Sequence, residues 1–258
     1  MATVSLFRKL EEGLAARHPS MILEAENLAA TVTDPERANP DECWSLIWDK
    51  PLYANARVTN VAAKTRLLLP LLSEAWSKIG QSRSDFLVER TGKGSSVSSF
   101  VVSGQLATKL RLDFRIAPHR LFGIQGGALA LNQRVKKVDA NFPYANLITM
   151  MPKTRIELII KEMGPFWGHI TSLHFLTDLG LACKPDIHLV RSAHYLGLIA
   201  DNKIRGVPSL SASIEINEKV ADLSRQLYGT NAPKNIRYLD KVLMEISRQG
   251  IIKISEAG

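Results

Sequence analysis

Apolar residues recur at helical spacing through most of the chain. Phe7, Leu10 and Leu14, then Met21, Ile22 and Leu28, fall near one face and predict helix at the N-terminus, broken around Pro19. Asp34-Pro35 and Asn39-Pro40 mark a loop, and Pro40-Asp41 opens a helix carrying Trp44, Leu46, Ile47 and Trp48. Val61 to Ile79 is helical in pattern, with Pro70 expected to kink or divide it. Residues 97–114 fit helix or strand. Gly123 to Gly127 and Asn141-Phe142-Pro143-Tyr144 read as breaks. After Pro152, Ile156, Ile159, Ile160 and Met163 predict one helix, and Ile170, Leu173, Leu176 and Leu179 the next. Gly206-Val207-Pro208 begins an irregular stretch, after which helices are expected over 217–228 and 236–248, ending at Gly250. There is no internal repeat. The balance is a mostly α protein, with room for a few short strands.

Composition adds little to that picture and charge adds more. With 45% hydrophobic and 22% charged residues in 258, the chain is long enough for one large domain or two smaller ones. Its apolar runs, such as Leu67-Leu68-Leu69-Pro70-Leu71-Leu72, are too short to span a membrane. The start, Met1-Ala2-Thr3-Val4-Ser5-Leu6-Phe7-Arg8-Lys9, has no secretory pattern, so a cytoplasmic protein is expected. Two cysteines, Cys43 and Cys183, cannot by themselves hold an iron–sulfur cluster, and the six histidines show no metal-ligand spacing, so no metal is expected. The net charge is +8, and Lys109, Arg111, Arg115, Arg120, Arg134, Lys136 and Lys137 lie close together in sequence against a single acid, Asp113. Such a cluster is either a nucleic-acid surface or a solvated basic face.

The most informative stretch runs from residue 163 to 198. Met163-Gly164-Pro165-Phe166-Trp167-Gly168 is a glycine-punctuated turn between two apolar helices, the second ending at Asp178-Leu179-Gly180. Thr171-Ser172 stand near the start of that second helix. Lys184-Pro185-Asp186-Ile187-His188-Leu189-Val190-Arg191 then opens a further helix, closed by Leu196-Gly197. Read alone, Asp186 is a favoured helix N-cap and the glycine turn an ordinary helix–helix connection.

The whole string resembles the helix-hairpin-helix superfamily of DNA glycosylases, in which a hairpin grips DNA phosphates and a catalytic Asp follows a little under twenty residues later; here Asp186 comes eighteen residues after Gly168. Arg237-Tyr238-Leu239-Asp240-Lys241-Val242-Leu243 is similar to the closing helix of some members, extending the resemblance over roughly residues 150–250. The turn departs from the family pattern, with three residues rather than one between its glycines. The resemblance implies a mostly α, two-lobed fold. Residues 1–140 would supply the base pocket and a basic DNA-facing surface, and residues 141–258 the hairpin and catalytic Asp, with the lobes interleaved.

It also implies the chemistry. Asp186 would be the catalytic carboxylate, stabilising positive charge on the sugar and orienting water. Gly164, Trp167, Gly168, His169, Thr171, Lys184, His188 and Arg191 would contact DNA together with the basic cluster, and Trp44 and Trp48 are candidates for the base pocket. Members that also cut the backbone use a lysine on the second hairpin helix. By spacing that position is Gly168, His169 or Ile170, and no lysine lies between Glu162 and Cys183, although Lys161 and Lys184 flank the unit. The implied enzyme is a monofunctional glycosylase that leaves an abasic site. It would act as a monomer associated with the nucleoid, without an iron–sulfur cluster, with room for a monovalent cation at the hairpin. Its base would be a repair lesion or a modified base of foreign DNA. The rival reading is a non-catalytic DNA-binding protein in which Asp186 is only a cap. A helical protein–protein adaptor would show little salt-sensitive DNA binding.

Overall fold

A computed structural model describes residues 2–53, 58–92, 99–200, 206 and 208–252. Thirteen α-helices appear among them: α1 (Ala2–Arg17), α2 (Pro19–Ala30), α3 (Pro40–Ile47), α4 (Lys50–Tyr53), α5 (Val58–Leu72), α6 (Trp76–Gln81), α7 (Gln105–Leu112), α8 (Pro118–Lys137), α9 (Pro152–Met163), α10 (His169–Asp178), α11 (Ile187–Tyr195), α12 (Leu210–Tyr228) and α13 (Pro233–Arg248). Strands β1 (Leu87–Arg90) and β2 (Phe100–Ser103) pair antiparallel, Leu87 opposite Ser103 and Arg90 opposite Phe100. The mostly α expectation holds. The tract 97–114 is both of its alternatives in turn, β2 and then α7. Residues 93–98, which include the start of that tract, lie outside the described residues.

The chain forms two compact units, residues 1–34, 150–156 and 176–258 in the first and 35–149 with 157–175 in the second. The segments of the two units interleave along the chain: α1 and α2 belong with the C-terminal helices, and the hairpin belongs with the middle of the chain. The reason is burial. Phe7, Leu10, Leu14 and Ala25 share one apolar cluster with Leu189, Val190, Ile216, Val220, Leu239, Val242, Leu243 and Ile246. Within this unit α13 is the hub, touching α1, α2, α11 and α12.

In the second unit the hub is α8, on which α3, α4, α6, α7 and both strands pack. Gly123 to Gly127, expected to break the chain, lie inside this helix. Close packing overrides their low helix propensity. A Cβ on Gly123 would come 2.9 Å from Pro51 Cβ, one on Gly126 2.6 Å from the Met163 carbonyl oxygen, and one on Gly127 2.5 Å from Ile47 Cγ2. Gln125, between them, behaves like a missing strand: its Oε1 accepts from Val88 N at 2.7 Å and its Nε2 donates to Val88 O at 3.2 Å.

Local signals account for most helix ends. Asn39 and Glu42 form a reciprocal capping box at the start of α3, and Ser209 caps α12 seven residues earlier than the 217 expected from periodicity. The tract from Val61 to Ile79 is divided, as expected, shortly after Pro70. This proline sits in the last turn of α5, which ends two residues later at Leu72, and α6 follows.

Candidate active site and DNA-contacting elements

Asp186 sits immediately before α11, with extended backbone (φ −88°, ψ 176°). Its Oδ1 accepts hydrogen bonds from His188 N at 2.9 Å and Leu189 N at 2.8 Å, satisfying two amides that the helix start leaves without intrahelical partners. Its Oδ2 takes no part in the cap and lies 3.8 Å from Arg248 Nη2, and the side chain is 32% exposed. The cap thus uses one oxygen of the carboxylate and not the other.

Buried polar side chains hold the loop that delivers Asp186. Asn217 reads both sides of the Cys183 peptide, accepting from its N–H at 2.6 Å and donating to its carbonyl at 3.2 Å. Asp240 Oδ1 accepts from Lys184 N at 2.9 Å, while its Oδ2 pairs with Arg237 at 2.8 Å. Arg155 Nη1 donates to Leu181 O at 3.0 Å, with its guanidinium brought down to about 10 by burial. Burial pushes the Asp240 carboxyl up to about 6 against the pull of Arg237 and the Lys184 amide, and the charges of Asp186 and Asp178 push the same way as burial.

Around Arg248 stands a second network. Glu245, 1% exposed, accepts from Lys241 at 2.8 Å, Gln249 at 2.8 Å and Arg248 at 3.2 Å, and Lys241 also reaches Glu24 at 2.9 Å. Burial works against ionisation of Glu245, but the Lys241 and Gln249 hydrogen bonds and the adjacent cations outweigh it and hold its carboxyl below the usual range. His188 Nδ1 lies 3.4 Å from Ser247 Oγ, so α11 and α13 are joined beside Asp186. Arg191 is exposed on α11 and Lys184 half-buried before it.

The hairpin belongs to the second unit. Gly164 has φ +77° and Phe166 φ +76°, and Trp167 N donates to Gly164 O at 3.2 Å. With Pro165 and Phe166 as its central residues this is the pattern of a type II turn, with phenylalanine where glycine is preferred. Trp167 does not face DNA as expected. It is 2% exposed, packs against Gly127 and donates Nε1–H to Gly123 O at 2.7 Å, anchoring the turn to α8. Gly168 is exposed, His169 and Thr171 are half-buried, and α10 begins at His169. Nothing lies within 4 Å of where a Cβ on Gly164 or Gly168 would be.

The basic cluster divides. Lys136 and Lys137 are exposed at the end of α8, Arg115 is exposed with φ +52°, and Lys109 is exposed and paired with Asp113 at 2.7 Å. Arg111 and Arg120 are half-buried. Arg134 is corrected from DNA contact to framework: it is 2% exposed, bonded to Glu162 at 2.7 Å, Pro143 O at 2.8 Å and Asn146 Oδ1 at 2.9 Å, with its guanidinium over Tyr144. Trp44 and Trp48, at 0% and 3% exposure, are core residues with no open face to wall a base pocket. One helical turn apart on a short amphipathic helix, they both reach the core. Among the described residues no helix is long and apolar enough to cross a membrane, and no group of three His, Cys, Asp or Glu could hold a metal ion.

Sequence reasoning missed Asn217, Asp240 and Arg155 as holders of the Asp186 loop, and Arg248 as its neighbour. Lys241, Glu245 and Arg248 carry a legible signal, oppositely charged pairs three and four residues apart on one helix. Nothing local says that this face meets Asp186.

The chain thus carries a glycine turn between α9 and α10, an aspartate at the head of α11, and a last helix, α13, packed against α11. A solved structure, the 8-oxoguanine DNA glycosylase of Thermotoga maritima, is similar to the chain with a TM-score of 0.51. The match covers 92% of this chain and 95% of that one at 16% sequence identity, so the likeness is one of fold. No family model matches the sequence, and no curated protein matches it significantly.

Proposed function

We propose that the protein is a DNA glycosylase that hydrolyses the N-glycosidic bond of a damaged or modified base extruded from DNA. The observation that carries this reading is the division of labour between the two oxygens of Asp186, Oδ1 bound to the α11 amides and Oδ2 outside the cap. As the base departs with the bonding electrons, positive charge grows on the deoxyribose. An ionised carboxylate held at a helix N-terminus stabilises that charge and orients the attacking water. Water oxygen bonds to the anomeric carbon and its proton is lost, leaving an abasic site. The lack of any lysine between Glu162 and Cys183 supports water over an amine as nucleophile. DNA would be held by the Gly164–Gly168 turn and the amides heading α10, with Lys109, Arg111, Arg115, Arg120, Lys136 and Lys137 supplying charge. The base is either a repair lesion or a modified base of foreign DNA.

The test is strand cleavage by hot alkali after incubating the protein with a panel of damaged and modified DNAs, beside Asp186→Asn and Asp186→Ala. Alkali-dependent breaks lost in both variants are the expected result, and breaks without alkali would point to a lysine nucleophile. Silence across the panel with salt-sensitive DNA binding intact would favour a non-catalytic binding protein.

A further inference from the structure

With Trp44 and Trp48 buried, the half-exposed aromatic surface of the second unit lies elsewhere. Phe166, on the hairpin, meets Phe100 of β2 with centroids 5.4 Å apart and Phe122 of α8 at 5.5 Å, both near edge-on, while Phe100 and Phe122 are 5.8 Å apart. The Arg90 guanidinium carbon lies 5.5 Å from the Phe166 centroid, and the His119 ring is 6.3 Å away. Four elements, β1, β2, α8 and the hairpin, thus bring three phenyl rings, an arginine and an imidazole to one place. Phe100 is buried, whereas Phe122, Phe166 and His119 are half-buried and Arg90 exposed.

Two contrasts separate this cluster from ordinary core. Adjacent residues of one turn have opposite fates: Trp167 is swallowed and hydrogen-bonded, Phe166 stays half-exposed. Phe166 also holds a ring at φ +76°, where glycine would relieve the backbone, a cost of order 1 kcal/mol. Trp167 already anchors the turn. The charge around the rings favours a partner with planar apolar groups on a negative backbone, since Arg90 stands over Phe166 and Arg120 adjoins His119. Burial and the neighbouring Arg120 hold the His119 imidazole below its ordinary range, so at neutral pH it presents a neutral ring.

We propose that Phe166 and Phe122, backed by Phe100 and flanked by Arg90 and His119, form a stacking surface for an unpaired nucleobase of the bound DNA. This rests on the reading that the hairpin grips DNA. The base would come either from the extruded nucleotide or from its orphaned partner, and the shared chemistry is a π-face freed from the duplex.

The probes are three duplexes, one fully paired, one with 2-aminopurine as a single-nucleotide bulge, and one with 2-aminopurine opposite a tetrahydrofuran abasic site. Whole protein is titrated against each, following anisotropy and 2-aminopurine fluorescence. Phe166→Gly suits the turn, so the fold should survive loss of the ring. It should weaken binding to one unpaired probe about tenfold, within the 5- to 150-fold that one base–aromatic stack contributes. It should also remove the fluorescence change while leaving the paired duplex and the salt slope unaltered. Phe122→Ala should act alike and Phe166→Tyr should restore the wild-type response. The responding probe identifies the base as extruded or orphaned. Unchanged discrimination in Phe166→Gly, or equal weakening on the paired duplex, would overturn the stacking surface alone. Wild-type protein without salt-sensitive binding to any probe would overturn the DNA-gripping reading as well.

Discussion

Asp186 gives Oδ1 to two α11 amides and holds Oδ2 3.8 Å from the Arg248 guanidinium, so the helix cap occupies one oxygen of the carboxylate and not the other. Asparagine caps helices about as well as aspartate but carries no charge. Asp186→Asn should therefore unfold within about 0.5 kcal/mol of wild type, and Asp186→Ala should lose ~0.5–2 kcal/mol. Base excision should vanish in both. Denaturant melts run beside an excision assay check this, and an active Asp186→Asn would remove the carboxylate from the mechanism.

Arg134 and its neighbours on α8 should separate by salt dependence. Arg134 is buried with Glu162, so Arg134→Met should destabilise by about 3 kcal/mol without changing the salt slope of DNA binding. Lys136→Ala and Lys137→Ala should leave the melting temperature alone. Each that meets a phosphate should reduce the slope by about 0.9. A shallower slope in folded Arg134→Met would contradict its assignment to the framework.

Gly126→Ala pits two effects against each other. Alanine favours helix by about 1 kcal/mol, but its Cβ would stand 2.6 Å from the Met163 carbonyl oxygen, immediately before the hairpin. Contact with backbone cannot be relieved by rotating a side chain, so the clash should win and the variant should melt below wild type. A higher melting temperature would mean that the hairpin is free to move off α8.

Asp240 should leave a pH signature. Its folded value of about 6 lies above the ordinary 3.8, so between those values the native state binds more proton than the unfolded one. Stability from this group is full below 3.8, declines as pH rises, and is lost above about 6. The difference in melting temperature between wild type and Asp240→Asn should accordingly shift against wild type from pH 4 to pH 7. A pH-independent difference would show that Asp240 titrates normally.

The helices on either side of the hairpin, the glycine turn and the N-cap aspartate were legible because each depends on neighbours within a few residues: apolar spacing, a residue tolerant of positive φ, a short side chain that reaches two amides. Gly123 to Gly127 misled for the same reason. Read locally they are helix breakers, and only Pro51, Ile47 and Met163, brought against them by the fold, make glycine the residue that fits.

Sequence by itself determined a mostly α chain with an aspartate at the head of α11 and a net charge of +8. Tertiary structure alone decided which of those residues are available. Arg134, Trp44, Trp48 and Trp167 share composition with a DNA-binding surface but are packed away, while Asn217, Asp240 and Arg155 converge on one loop from three distant helices. The physical reason is that helix formation is read out over three or four residues. Burial and the pairing of buried polar groups depend on segments dozens of residues apart, whose meeting the local pattern does not encode.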